Sequence, residues 1–454
     1  MSSRSSKYEI EMTKGPLFGK ILLFAIPLMF SSILQLLFNA ADIIIVGQFA
    51  KNGPQSIAAV GATAALINML VSLFVGIAVG VNVLVAKFYA VKNDKAVSET
   101  VHTSLMLSIV GGIILAVIGV MVSKPILLAM GTPDDVIDLA TTYMRIYCCG
   151  MPSLFLYNLG SATLRAVGDT RRPLYFLAIS GVLNIILNIF LVVGLHLDVA
   201  GVAIATIVSE TLSAALVLIC LAKSDQSYKF EVKKMRFYPD KFTKILALGI
   251  PAGLQGMIFS FSNVLIQSSV NYFGSMVMAG NAAAQNLEGF VYMSMNSVYQ
   301  ACVTFTSQNL GAGKYERIHK VLGACLVIVT AVGLIMGNAF YFFGTEMLGI
   351  FTKNPETIQY GLNRMAIICV PYFLCGLMDT ACGSLRGLGY SVLPMVVSLI
   401  GACGLRIVWI YTVFRVFHNL TVLYISYPVT WAITACVHII CYMVIVRKKG
   451  WNTK

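Results

Sequence analysis

The chain has few charged residues for its length. Only 11% of its 454 residues are Asp, Glu, Lys or Arg, whereas a soluble domain is roughly a quarter charged. It also lacks the motifs of several enzyme classes: there is no GxxxxGK[ST] phosphate loop, no HExxH zinc motif and no CxxC pair. The five histidines are dispersed, and no nucleophile–base set stands out. We therefore expect neither a soluble protein nor an enzyme, and no cofactor.

Long apolar runs, such as Ile21–Leu37 and Leu105–Val122, dominate the sequence instead. A helix needs about 20 apolar residues to cross the hydrocarbon core of a bilayer, where the backbone finds no water to bond. The N-terminal residues carry no cleavable signal-peptide pattern. Breaks at Gly, Pro and charged residues predict twelve spans, at about 20–47, 57–86, 97–122, 137–163, 174–194, 200–222, 243–270, 277–306, 317–343, 358–384, 392–414 and 420–446.

The net charge of +13 is distributed by loop rather than gathered into a nucleic-acid surface. Lys and Arg concentrate in alternate loops, most densely between Lys223 and Lys244. On the opposite side of the membrane, the only Lys and Arg residues are expected to be Lys51, Lys124, Arg145, Lys353, Arg364 and Arg415. By the positive-inside rule, both termini are expected to be cytoplasmic, in a multi-pass protein of the cell (inner) membrane. We expect a lipid bilayer and no nucleic acid among its partners.

The two halves of the chain resemble each other. Pro27 pairs with Pro251, and Arg165 pairs with Arg386 at nearly the same offset. Each half has six spans, so the halves enter the membrane from the same side. The predicted fold is an all-α membrane protein with twelve transmembrane helices in two six-helix lobes, related by a pseudo-two-fold axis along the membrane normal. We expect a monomer, because two halves already form a complete cavity. The predicted segments are a cytoplasmic tail (1–19), the N-lobe (20–222), a basic linker (223–242), the C-lobe (243–446) and a second tail (447–454).

Acidic residues inside the spans require an explanation, because a charge at the bilayer centre costs at least about 2.5–3.5 kcal/mol. Asp42 follows Asn39 and Gln35 on one face of the first span. A carboxylate among neutral amides can bind a cation or take up a proton, although a helix cap or an interfacial acid is the alternative. Asn184 and Asn188 are four residues apart in the fifth span and either bridge helices or join Asp42.

The eighth span carries a polar stripe at helical spacing, which includes Asn281, Gln285, Glu288 and Tyr292. Such a face meets either a water-filled cavity or another polar helix. The first case would make it a wall that attracts cationic substrates, together with Asp379 of the tenth span. Glu210 of the sixth span is interpreted as a packing or interfacial residue. At the repeat offset Asp42 corresponds to Ile266, so the acids of the two halves do not correspond.

Several segments resemble those of the multidrug and toxic compound extrusion (MATE) transporters over nearly the whole chain. They are LLFAIPLMF (Leu22–Phe30), NAADIIIVG (Asn39–Gly47), LRAVGDTRRP (Leu164–Pro173) and its second copy LRGLGYSVLP (Leu385–Pro394). The resemblance implies a secondary active antiporter that exports cationic or amphipathic small molecules by alternating access, in exchange for protons or sodium ions. No metal is expected beyond a sodium ion at Asp42.

The resemblance also implies roles for single residues. It implies an ion-coupling network of Asp42, Asn39, Tyr143, Asn158, Asn184, Asn188 and Thr206, and a bend of the first helix at Pro27, with Pro251 as its repeat partner. Well-known members carry Asp where this chain has Asn188, so one negative charge is missing, and Glu288 and Asp379 are further candidates for the ion. The alternative function is a lipid-linked oligosaccharide flippase of the same broad superfamily. A cationic cavity is usual for such flippases, whereas intramembrane acids outnumber bases in this sequence, with Arg406 the clearest exception.

Overall fold

The computed structural model describes residues 8–50 and 53–451, and every regular element in these ranges is helical. Lys51 and parts of both predicted tails lie outside the described residues. We number the helices α1–α12. Their bounds are α1 Leu17–Phe49, α2 Gly53–Ala90, α3 Asp94–Ala129, α4 Asp134–Cys149 with Met151–Ala166, α5 Arg171–Asn188 with the π-helical turn Ile189–Gly194, α6 Asp198–Ala222, α7 Pro239–Asn271, α8 Ser275–Gly311, α9 Tyr315–Phe342, α10 Pro355–Ile368 with Phe373–Gly387, α11 Val392–Phe417 and α12 Leu420–Lys448.

Each predicted span falls on one of these helices. Within the described ranges, nine helices are long and apolar enough to cross a membrane, and the bent pair that forms α10 makes ten. The other two, α4 and α8, do not meet the same measure. The two segments of α4 are 16 residues long each, and α8 carries the polar stripe. Hydropathy therefore underestimates the spans that contain a break or a polar face.

The two halves share unusual backbone features at the spacing of the predicted repeat. Gly168 and Gly389, in the turns after α4 and α10, have φ values of 98° and 92°. This left-handed region favours glycine, which has no Cβ. The π-helical turn Ile189–Gly194 recurs as Ile410–Phe414 in α11. Because π-helical turns are rare, their recurrence at one offset supports an internal repeat.

The chain forms two compact units whose limits fall inside helices. Unit 1 contains the segment that ends at Ile10 and residues Phe30–Ile250, and unit 2 contains Glu11–Met29 and Pro251–Lys454. These limits differ from the predicted lobes 20–222 and 243–446, because the first part of α1 packs in unit 2 and the first part of α7 packs in unit 1.

In α1 the boundary between the units lies after Met29, two residues beyond Pro27. In α7 it lies immediately before Pro251. A proline inside a helix removes one backbone hydrogen bond and weakens the helix at that point. Both helices nevertheless run through their prolines without a break, so the predicted bends stay predictions. A bend of 47° lies in α10, between Ile368 and Phe373.

The predicted linker 223–242 is an ordered part of unit 1. Tyr228 is fully buried, and its hydroxyl donates a hydrogen bond to Glu9 Oε1 at 2.7 Å. The backbone N–H of Glu231 donates to His102 Nε2 at 3.0 Å. These contacts fix the linker on α3 and on the N-terminal segment that precedes α1.

Candidate functional site

Unit 1 contains a polar cavity of about 50 Å³ between α1, α5 and α6. A water molecule needs roughly 10–15 Å³ of such space, so the cavity holds a few waters or one small charged group. No Lys, Arg or His is among its lining residues, which are Gln35, Phe38, Asn39, Asp42, Leu177, Ser180, Gly181, Asn184, Thr206, Ser209, Glu210 and Ser213. The cavity therefore offers two carboxylates and several neutral oxygens, and no positive charge.

Asp42 is held by the amides of α5. Asn188 Nδ2 donates a hydrogen bond to Asp42 Oδ1 at 2.5 Å and lies 3.1 Å from Asn184 Oδ1. The side chain of Thr206 reaches the same carboxylate from α6. Asn188 is fully buried, yet within the described ranges its own Oδ1 has no hydrogen-bond partner. The side chain of Asn188 thus acts as a hydrogen-bond donor to Asp42.

Gly181 allows α5 to approach α1 at this cavity. A Cβ atom at this position would lie only 1.8 Å from the ring of Phe38. Any larger residue would have to displace the Phe38 ring, which lines the cavity beside Asp42. The spacing Gly181, Asn184, Asn188 places the close contact and the two amides on one face of α5.

The structure brings most of the predicted ion-coupling residues together, but not all of them. Asn39, Asn184 and Thr206 line the cavity with Asp42, and Asn188 bonds to it. Tyr143 and Asn158 are not among the lining residues. The amide of Asn158 donates to the carbonyl of Leu154 in its own helix at 2.8 Å, and Tyr143 stacks on Tyr147. The roles of Tyr143 and Asn158 stay predictions.

Sequence reasoning undervalued Glu210, which lines the same cavity as Asp42. Its Oε2 is buried and has no hydrogen-bond partner among the described residues. Glu210 also lines a second, smaller cavity of about 10 Å³ with Tyr147, Leu154 and Ile207. The signal was its position one helical turn after Thr206, which puts both side chains on one face of α6.

Glu288 of α8 is an ion-pair partner in unit 2 rather than a free acid. Arg364 of α10 donates from Nε to Glu288 Oε1 at 2.8 Å and from Nη2 to Oε2 at 2.7 Å. Its Nη1 donates to Asn281 Oδ1 at 2.8 Å. Arg364 is 2% exposed, and it lies inside the predicted span 358–384, although the sequence analysis counted it only as a residue of the sparsely charged side of the membrane. The expectation that Glu288 attracts cations with an unpaired charge is therefore not supported.

The rest of the predicted substrate wall divides into two clusters. Asn281 Nδ2 donates to Gln267 Oε1 at 2.8 Å, and Gln285 lies 3.5 Å from the same oxygen. These contacts join both residues to the Glu288–Arg364 cluster. Tyr292 instead hydrogen-bonds to the carboxylate of Asp379. The polar stripe of α8 thus meets other polar helices along part of its length, which is the alternative that the sequence left open.

The buried charges of unit 2 include three arginines. Arg386 donates to Tyr299 Oη at 2.6 Å and to Gln255 Oε1 at 2.7 Å. Arg406 lies over the ring of Tyr427, 4.2 Å from its centroid. Together with Arg364, these are three buried guanidinium groups, beside the two carboxylates Glu288 and Asp379.

Among the described residues, no group of three or more His, Cys, Asp or Glu side chains could hold a metal ion. The cavity of unit 1 provides one carboxylate from α1, one from α6, and the neutral oxygens of amides and hydroxyls. This donor set can take up a proton or surround a small monovalent cation with oxygen atoms.

Comparison with known proteins identifies the family. The MatE family model matches the chain twice, at residues 27–190 and 251–412. The chain belongs to the MATE family. The two matches begin at Pro27 and Pro251, so they also coincide with the internal repeat. Membership makes the protein a multi-pass membrane transporter of the multidrug transporter family, and not an enzyme.

Individual MATE relatives cover nearly the whole chain. A probable multidrug resistance protein of Bacillus subtilis, YoeA, is 28% identical over 96% of both chains. The multidrug export protein MepA of Staphylococcus aureus is 23% identical over 83% of both chains. A multidrug resistance MATE transporter of the MOP superfamily, solved in an outward-facing conformation, superposes with a TM-score of 0.91 at 19% identity, covering 99% of this chain and all of that one. The shared fold is the twelve-helix, two-lobe fold, and these matches do not favour the flippase alternative.

Proposed function

We propose that this MATE transporter is a secondary active antiporter that exports cationic or amphipathic small molecules in exchange for protons or sodium ions. The observation that carries the proposal is the cavity of unit 1, where Asp42 is bonded only to neutral side chains and where no basic residue is among the lining residues. A negative charge without a counter-ion inside the membrane is costly, so it is retained where a cation or a proton visits it.

The coupling ion is a proton or a sodium ion, and the donor set accommodates either. A proton needs only the Asp42 carboxylate. A sodium ion needs additional oxygens, which Asn39 and Asn184 provide beside Asp42. Asn188 restrains the carboxylate through its Nδ2 group, and that restraint is strongest while Asp42 is negatively charged. A cation bound to Asp42 would weaken the hydrogen bond from Asn188. Because this bond joins α5 to α1, ion binding would directly affect the contact between the two helices.

Reconstitution into liposomes tests this function. We expect the wild-type protein to transport ethidium and a dansylated alkylamine only when a proton or a sodium gradient is imposed. The variant Asp42→Asn should lose gradient-driven transport while it retains expression and folding. The matched control is Asp138→Asn, because Asp138 is an acid of α4 that is exposed and pairs with Lys124 at the surface.

The outcomes separate the parts of the proposal. Transport that follows the proton gradient in the absence of sodium assigns the proton, and the converse assigns sodium. Unchanged gradient-driven efflux by Asp42→Asn would refute the coupling role of this residue. Loss of transport in Asp138→Asn to the same extent would mean that the assay reports general damage.

The cellular setting is also part of the proposal. We propose that the protein lies in the cell (inner) membrane with both termini in the cytoplasm, because Lys and Arg concentrate in the loops on the side of the termini. We further propose that it works as a monomer.

A further inference from the structure

We propose that Glu210 is the substrate-binding acid of the unit 1 cavity and that it selects lipophilic amines whose charged group is a protonated primary amine. The proposal rests on the transporter function described above and adds a residue and a substrate class to it. It assigns different tasks to the two carboxylates: Asp42 binds the coupling ion, and Glu210 binds the positive group of the substrate.

The hydrogen bonds of the two acids differ. Asp42 accepts a hydrogen bond from Asn188 and is reached by Thr206, so its carboxylate is largely satisfied by protein. Glu210 Oε2 is buried and has no hydrogen-bond partner in the part of the chain that the structure describes. A buried, unpartnered carboxylate oxygen costs more than a paired one. Glu210 therefore has unused capacity to accept hydrogen bonds from a ligand.

A second orphan acceptor lies beside the cavity. Asn188 is fully buried. Its Oδ1 has no hydrogen-bond partner in residues 8–50 and 53–451, while its Nδ2 group donates to Asp42 and Asn184. The hydroxyls of Ser180, Ser209 and Ser213 also line the cavity, and each can accept a hydrogen bond. An ammonium group has three N–H donors and no acceptor, so this surplus of acceptors matches it.

The size of the cavity favours a small charged group. About 50 Å³ of space accommodates a bare ammonium, whereas a drug-sized ligand fills a pocket of about 300 Å³ or more. The rest of the substrate must therefore extend beyond this cavity. Glu210 also borders the small cavity lined by Tyr147, Leu154 and Ile207, so apolar side chains flank its carboxylate. A trimethylammonium group is bulkier and donates no conventional hydrogen bonds, so it should bind poorly.

Three matched fluorescent probes test this assignment by equilibrium binding to the full-length protein in detergent. They are dansylcadaverine, which carries a primary amine, its N,N,N-trimethyl analogue and its uncharged N-acetyl analogue. We expect the primary amine to bind at least about tenfold more tightly than either analogue, because a hydrogen bond to a charged group changes affinity by about 10- to 100-fold. Glu210→Gln should remove this advantage, and Glu210→Asp should keep part of it.

The control variant is Glu316→Gln, which changes an exposed acid at the start of α9. It should bind all three probes as the wild type does. Equal binding of the acetylated and primary amines by the wild type would overturn the proposal. So would a Glu210→Gln variant that keeps the preference. A thermal melt of each variant distinguishes a lost preference from a lost fold. Because the binding measurement needs no ion gradient, its failure is distinct from a failure of gradient-driven transport.

Discussion

The Glu288–Arg364 pair allows a quantitative test of how unit 2 arranges its buried charges. Arg364→Met removes the guanidinium and leaves the Glu288 carboxylate, whose side chain is only 7% exposed, without its two donors. Removing one partner of a buried pair costs about 3–5 kcal/mol. For a domain of about 150–250 residues, 1 kcal/mol corresponds to roughly 2–4 °C. The apparent melting temperature should therefore fall by about 6–20 °C.

The double variant Glu288→Met, Arg364→Met completes the cycle. It removes both charges and fills the space with apolar side chains. Such replacements are often neutral, or stabilising by about 1–4 kcal/mol. The double variant should therefore be more stable than Arg364→Met alone, with a coupling energy of several kcal/mol between the two sites. Heating in detergent followed by size-exclusion chromatography measures the folded fraction of each variant.

The control is Lys124→Met, which breaks the Lys124–Asp138 pair. The side chains of that pair are 46% and 84% exposed, and an exposed pair contributes at most about 1 kcal/mol. The reasoning would be refuted if Arg364→Met cost no more than Lys124→Met. It would also be refuted if the effects of the two single substitutions added up in the double variant, since residues that are paired in the structure must couple.

Two further predictions concern the repeat and the orientation of the chain. Gly168→Ala should destabilise the protein more than Gly389→Ala: both glycines have positive φ, but a Cβ at Gly168 would lie 2.7 Å from backbone atoms of Ile10, whereas Gly389 has open space around it; equal melting temperatures of the two variants would contradict this. A green fluorescent protein fused to the C-terminus should fluoresce, and an alkaline phosphatase fused there should be inactive. The reverse result would place the C-terminus outside the cytoplasm. Light scattering of the detergent-solubilised protein should give the mass of one chain, 49.2 kDa.

Much of the fold could be predicted from the sequence because the bilayer constrains it strongly. Spanning segments must be apolar and helical, so the twelve predicted spans coincide with α1–α12, usually within a few residues. The repeat was also visible, since Gly168 and Gly389 are required by the backbone of the same turn. The limits of the compact units were not predictable in this way. They fall within α1 and α7, and hydropathy does not change at those points.

The sites were harder to predict because they depend on contacts between distant positions. Glu288 and Arg364 are 76 residues apart in the sequence. Arg364 lies in the first segment of α10, which has few apolar residues. Charge counting used Arg364 only to set the orientation of the chain and could not identify Glu288 as its partner. Helical periodicity grouped Asp42 with Asn39 as candidate site residues, because the two share a face of one helix. It could not show that α6 brings Glu210 to the same cavity, since that depends on how α6 packs against α1 and α5.

The sequence indicated ion coupling in the first half and a cation-attracting cavity wall in the second half. The distribution of paired and unpaired acids in the structure changes this assignment. In unit 2 the polar stripe of α8 contributes to stability, because Arg364 neutralises Glu288 and also bonds to Asn281. A cationic substrate gains little there, where buried arginines exceed carboxylates. In unit 1 the opposite holds, since Asp42 and Glu210 share a cavity whose lining residues include no base. If charge attraction guides substrate selection, substitutions at Glu210 must change which amines bind, whereas substitutions at Glu288 must change stability first. Measuring affinity and melting temperature on the same Glu210→Gln and Glu288→Gln proteins separates these two effects.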